Sequence, residues 1–207
     1  MTTRTASRTA SSPATAAIVG VNAVPLQMLV LYGSYRSDRK GIRLAQRICE
    51  ELQSYGDAAE LIDARTVGLP IIDRMYKEYA LGEAPAQMEA LATKIRQADA
   101  FAFVVGDYNW GVQPGLKNLT DHFLEEWFWR PAVIASYSTG RTAGVRTALA
   151  WCGTLTEMGM VVVPSTLAVG PIDEALDVRG RPTGEHGRLL AAALPQFLEP
   201  AGDYAGP

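Results

Sequence analysis

The chain has 207 residues, 48% of them hydrophobic, and a formal net charge of −3, which suits one domain with a sizeable core and, with no basic face, argues against a nucleic-acid partner. No apolar run approaches the ~18 residues of a membrane helix, so no membrane association is expected. His122 and His186 lie far apart, with no Cys, Asp or Glu at metal-ligand spacing, so no metal site is expected.

Residues 1–24 are rich in Thr, Ser, Ala and Arg and hold no acidic residue. Such a stretch cannot bury enough to fold alone and reads as a disordered extension. Arg4 and Arg8 alone make a poor targeting peptide, so a cytoplasmic location is expected. Residues 25–200 read as the folded domain, and 201–207 as a frayed tail. The only cysteines, Cys49 and Cys152, sit in helical apolar patterns. They read as small core residues in a reducing compartment rather than as a disulfide.

Residues 27–32 form a nearly unbroken apolar run of strand length, buried on both faces as in a parallel sheet. The loop 33–41 follows, rich in glycine, hydroxyls and arginine. Ile42, Ala45, Ile48, Cys49 and Leu52 then recur at helical spacing. Unpaired N–H groups at a helix start, together with the helix dipole, favour an anion there. Arg36 and Arg39 add forked donors that match phosphate oxygens. The loop therefore reads as a phosphate site, with a plain solvated connection as the alternative. Its glycine pattern is neither the dinucleotide fingerprint nor the Walker A loop.

A turn at Gly56 and Asp57 leads to a short second strand over 58–62. Residues 75–84 have mixed polarity and no assigned element; they suit a cover over a site, a subunit contact or a surface excursion. Pro85 opens a helix whose buried stripe is Met88, Leu91, Ala92 and Ile95. Residues 100–105 are the third strand, and 106–115 its exit loop. A helix follows over 116–123, then the aromatic cluster Trp127, Phe128 and Trp129, which suits either a core corner or a subunit contact. Residues 131–137 are the fourth strand and 138–141 its exit loop. Val145, Leu149, Cys152, Leu155 and Met158 share one helical face, and Gly159 stops that helix. The fifth strand starts at Met160, with an interruption expected at Pro164. A polar loop over 170–184 precedes a last helix over 188–198.

Strands alternating with helices give an α/β fold: a flavodoxin-like three-layer sandwich with a five-stranded parallel sheet, order 2-1-3-4-5. In such sheets ligands lie beyond the carboxyl ends of the strands, near the switch point between strands 1 and 3. That rule selects the loops 33–41, 106–115 and 138–141. The second offers Tyr108 and Trp110 as flat surfaces, glycines for close backbone approach, and the Asn109 amide. The alternative for the two aromatics is to cap the core or an interface. The third adds Gly140 and Arg141. A phosphate tail plus a flat, hydrogen-bonding ring describes FMN.

The chain resembles the NADPH-dependent FMN reductase family. The likeness rests on Gly33-Ser34-Tyr35-Arg36, on Asp107-Tyr108-Asn109-Trp110-Gly111 with Gly115-Leu116-Lys117-Asn118, and on Ser136-Tyr137 with Gly140-Arg141 and Gly144. It implies that Ser34, Arg36, Arg39 and Gly41 hold the FMN phosphate. It places Asp107, Tyr108, Asn109, Trp110 and Gly111 around the ring, with Ser138, Gly140 and Arg141 touching it from the other side. The chain departs from the family at Gly106-Asp107, where Pro-Glu is usual, and Asp38 puts a negative charge inside the phosphate loop.

The resemblance also implies an FMN-dependent oxidoreductase that takes hydride from NADPH or NADH. The acceptor would be a small molecule: free flavin, a quinone, an azo or nitro compound, or a biosynthetic intermediate. No catalytic side chain is implied, because the cofactor carries the hard chemistry. Family members are often dimers or tetramers, so a homo-oligomer is expected. An FMN-binding electron carrier without nicotinamide turnover, and a flavin-free scaffold, stand as alternatives.

Overall fold

The structure, a computed structural model, describes residues 25–205. The extension expected to be disordered, 1–24, lies outside the described residues, as do residues 206–207. Five parallel strands form one sheet: β1 (Gln27–Tyr32), β2 (Ala58–Asp63), β3 (Ala100–Gly106), β4 (Pro131–Tyr137) and β5 (Val161–Val169). Their order is β2-β1-β3-β4-β5. The chain returns across the sheet through α1 (Ile42–Ser54), α2 (Ala64–Val67), α3 (Ala86–Gln97), α4 (Pro114–Asp121), α5 (Val145–Glu157), α6 (Ile172–Ala175) and α7 (Gly184–Ala205).

Alternation along the strands divides the core in two. Met28, Val30 and Tyr32 of β1, with Val133, Ala135 and Tyr137 of β4, face α1 and α7. Leu29, Leu31, Phe101 and Phe103 face α3, α4 and α5. Every residue of β3 and β4 is buried, which is why these strands are continuous apolar runs rather than alternating ones. Trp127 is fully buried against the edge of Phe101, ring centroids 5.2 Å apart. Of the aromatic cluster it alone enters the core, whereas Trp129 is 83% exposed.

Pro164 does not end β5. The strand lies at the edge of the sheet, and its pairing with β4 slips between Ala132 and Ile134. A bulge on an edge strand is where proline is tolerated. The final helix is longer at both ends than the sequence pattern indicates and runs through Ala205. Ala201, expected at the start of the frayed tail, is buried in the α7 side of the core.

The stripe expected on α5 is rotated. Its buried residues are Thr147, Ala148, Trp151 and Leu155, while Val145 and Leu149 are exposed. Trp151 turns the helix: its ring packs edge-on to Phe103, centroids 5.9 Å apart. α2 is too short to show an apolar period in the sequence, yet it carries its own signals. Asp63 caps it by accepting from the Arg65 N–H at 3.1 Å, and Gly68 ends it at φ 69°.

Cys49 lies on the buried face of α1, and burial pushes its thiol up from 9.0 to about 12. A folded pKa above the unfolded one stabilises fully below the unfolded value and less as pH rises through the folded one. The urea midpoint is therefore expected to fall between pH 9 and 12, and to fall less steeply in Cys49→Ala. Equal slopes for the two proteins would contradict this.

Candidate cofactor site

The carboxyl ends of β1, β3 and β4 open onto one cleft of about 400 Å³. Ser34, Arg36, Asp38 and Lys40 line one end. Asp107, Tyr108, Tyr137 and the stretch Ser138–Gly140 with Thr142 line the rest. Of the twelve site residues expected from the sequence, six line this cleft: Ser34, Arg36, Asp107, Tyr108, Ser138 and Gly140.

The first loop is packed from beneath. Gly33 lies against the start of α4 so closely that a Cβ there would stand 2.1 Å from the Leu116 nitrogen. Ser34 is buried, its Oγ 3.0 Å from the Tyr108 hydroxyl, and it accepts from the Arg36 N–H at 3.4 Å. Arg36 is exposed and makes no ion pair among the described residues. Lys40 pairs with Asp173 at 2.5 Å, and Arg43 holds the other oxygen of that carboxylate at 2.7 Å. The Lys40 hydrogen bond, opposed by some burial and reinforced by Arg43, lowers the Asp173 pKa. The first N–H groups of α1 are taken within the turn, Ile42 by Arg39 at 3.1 Å and Arg43 by Lys40 at 3.3 Å. The first N–H groups of α1 are thus already bonded, and the Ser34, Arg36 and Lys40 side chains add donors at this end of the cleft.

Arg39 turns away from the cleft. It donates to Asp63 at 2.6 Å, with side chains only 19% and 9% exposed, and it lies 5.7 Å over the Tyr32 ring. Sheet register explains this, because Tyr32 pairs with Asp63 across β1 and β2. Gly41 sits behind the cleft, where a Cβ would stand 2.1 Å from the Tyr137 ring.

The second loop is a tight hairpin. Tyr108 and Gly111 exchange backbone hydrogen bonds of 2.9 and 3.0 Å. Asn109 and Trp110 between them have φ 55° and 69°. Asn tolerates this region, but Trp is strained in it. Asp107 braces the turn, accepting from the Trp110 N–H at 3.0 Å and the Thr147 hydroxyl at 3.1 Å. Tyr108 points into the cleft. Trp110 points out, with the Arg146 guanidinium 4.4 Å over its ring. Asn109, Trp110 and Gly111 form the outer rim instead of the lining, and Arg141 is an exposed neighbour of the third loop. In that loop Ser138 donates to the Gly140 carbonyl at 2.8 Å.

Lys40, Tyr137, Thr139 and Thr142 line the cleft and were missed. Lys40 carried a signal, being one residue past Arg39 in the same loop. Tyr137 read as strand, and its place at the cleft follows only from β4 stopping beside β3.

A model of the NADPH-dependent FMN reductase family matches residues 26–173. The chain belongs to that family. It is 34% identical over 122 residues to an NAD(P)H-dependent FMN reductase of Schizosaccharomyces pombe, 54% of this chain and 57% of the relative. It is also 34% identical over 106 residues to a probable NADPH:quinone oxidoreductase of Oryza sativa, 50% of this chain and 52% of that one. The chain thus spans little more than half the length of these curated relatives. A solved flavoenzyme NAD(P)H:acceptor oxidoreductase of Paracoccus denitrificans shares the fold, with TM-score 0.69 and 20% identity over 86% of this chain and 96% of that one.

FMN is the family's cofactor, and the donor set here suits it. One end of the cleft gathers a hydroxyl, an unpaired guanidinium and an ammonium, as a phosphate needs. The other end is formed by Tyr108 and by the glycine-bearing third loop, where a Cβ on Gly140 would meet nothing nearer than Ser138 Oγ at 3.9 Å. That open backbone leaves room for a flat ring.

Proposed function

We propose that the chain is an NAD(P)H-dependent flavin oxidoreductase acting on a small, flat acceptor. The observation that carries this reading is the single cleft joining the Arg36–Lys40 end to the Tyr108 and Gly140 end. Ser34, Arg36 and Lys40 hold the phosphate; Asp107, Tyr108, Ser138 and Gly140 frame the ring. Arg39 and Gly41 support them by fixing the loop to β2 and to Tyr137. Asn109, Trp110, Gly111 and Arg141 form the rim against which a second substrate rests. FMN held by these residues would supply the hydride and electron chemistry between a nicotinamide and the acceptor.

The protein's part is to bind and orient, and no side chain serves as acid or base. Among the described residues no cluster of His, Cys, Asp or Glu offers a metal site, and no helix is long and apolar enough to cross a membrane. A quinone is the favoured acceptor, after the name of the rice relative. Free flavin and azo or nitro compounds are the next candidates. We place the enzyme in the cytoplasm, where the unpaired Cys49 and Cys152 stay reduced. A homodimer or homotetramer is supported by exposed Trp129, Val145 and Leu149.

The test is anaerobic addition of NADPH, then NADH, to the FMN-loaded protein. Rapid loss of the visible flavin absorbance, restored by a quinone, is the expected result. A flavin band that no nicotinamide bleaches would leave an electron carrier.

A further inference from the structure

Charge is divided unevenly along the cleft. Arg36, Asp38 and Lys40 line one end, and all three belong to the first loop. Beyond that loop, Asp107 is the one charged side chain in the lining among the described residues. It directly follows β3 and is half-buried. Its backbone N–H donates to the Tyr137 carbonyl at 3.2 Å, which fixes it where β3 and β4 end side by side.

The two carboxylate oxygens of Asp107 have different surroundings. Oδ1 accepts from the Trp110 N–H at 3.0 Å and from the Thr147 hydroxyl at 3.1 Å. Thr147 is buried on α5, so donors from two elements hold the side chain in one orientation. Among the described residues no hydrogen bond or ion pair reaches Oδ2. Of the surrounding basic side chains, Arg39 pairs with Asp63, Lys40 pairs with Asp173, and Arg146 lies over the Trp110 ring. The brace itself needs only Oδ1. An amide carbonyl could accept the same two bonds, so the turn does not require the charge.

We propose that the Asp107 carboxylate lowers the reduction potential of the bound flavin. The inference rests on the reading of the cleft as the FMN site. Two-electron reduction leaves the flavin ring richer in negative charge. A fixed anion facing the ring opposes that change, because it repels the reduced form more than the oxidised one. Asp107 therefore weakens the hold on reduced flavin relative to oxidised flavin and makes the bound cofactor a stronger reductant.

Asp107→Asn removes the charge and keeps an acceptor at Oδ1. The test reads the potential of the FMN-loaded protein by anaerobic spectroelectrochemical titration, which reports the ratio of the two affinities rather than either one. The variant is expected to shift that ratio about tenfold toward reduced flavin, a rise of about 30 mV for two electrons. Asp107→Ser, whose hydroxyl can still accept from the Trp110 N–H, is expected to move it the same way. Asp107→Glu keeps the charge and is expected to stay within about threefold of the parent. A purely structural role shifts both affinities together, so an unchanged potential in the neutral variants overturns the proposal, as does a lowered one. An equal rise in Asp107→Glu assigns the effect to side-chain shape and overturns it too. Should one neutral variant not fold, the other decides alone. If the parent binds no FMN, the site itself is refuted and the inference with it.

Discussion

Arg36→Met is expected to weaken FMN binding by about 10- to 100-fold and to leave riboflavin binding within about twofold. Charge-assisted hydrogen bonds to a phosphate are each worth about 1.5–3 kcal/mol, and Arg36 has no carboxylate competing for it among the described residues. Its removal costs the fold little, so the thermal midpoint stays within about 1 °C, as for other exposed positions. Calorimetric titration of the two flavins reads the affinity. Arg36→Lys restores part of it, since a point charge replaces the fork. Arg39→Met does the reverse. It strands a largely buried Asp63 carboxylate, so stability falls by about 1–3 kcal/mol after discounting for partial exposure. Any loss of FMN affinity then follows from the loosened loop. The two arginines stand three residues apart and are told apart by this pair of readouts.

Gly33→Ala is expected to destabilise the protein by about 3 kcal/mol, lowering the melting temperature by about 6–12 °C. The added carbon would meet the Leu116 N, Cα and Cβ at 2.1, 2.3 and 2.4 Å. Backbone at the start of α4 cannot swing aside as a flexible side chain does. Relief comes only by pushing α4 off the end of β1. That shift also separates Ser34 from Tyr108, so flavin affinity falls with stability. A melting curve matching the parent would show that the first loop and α4 are not packed as described.

The sheet was legible because its strands are written as runs. β3 and β4 are buried on every residue, and such nearly continuous apolar runs of seven residues read as interior strands of a parallel sheet. α3 was legible for the complementary reason, since Met88, Leu91, Ala92 and Ile95 keep helical spacing between polar neighbours. α5 was not, because aliphatic residues suggest two faces and a single tryptophan chooses between them. The direction taken by Trp151 depends on Phe103, which lies on another element.

At the cleft the three loops were legible from position alone, but the fate of each side chain was not. Arg36 and Arg39 look alike in the sequence. What separates them is Asp63, brought beside Tyr32 by parallel register. The same holds for Lys40, which reaches Asp173 across 133 residues of chain. Asn109 and Trp110 show the limit differently: their residue types suggest contact with a ring, yet the hairpin that holds them at positive φ turns Trp110 outward.

The central claim is that three strand-exit loops grip one FMN, and a crystal structure of the protein grown with FMN tests it most directly. The account predicts density for one flavin in the cleft, with its phosphate within hydrogen-bond distance of Ser34 and Arg36 and its ring between Tyr108 and Gly140. Flavin bound elsewhere, such as the groove where His186 and Leu189 of α7 face β5, or a reversed flavin with its ring against Arg36, would contradict it.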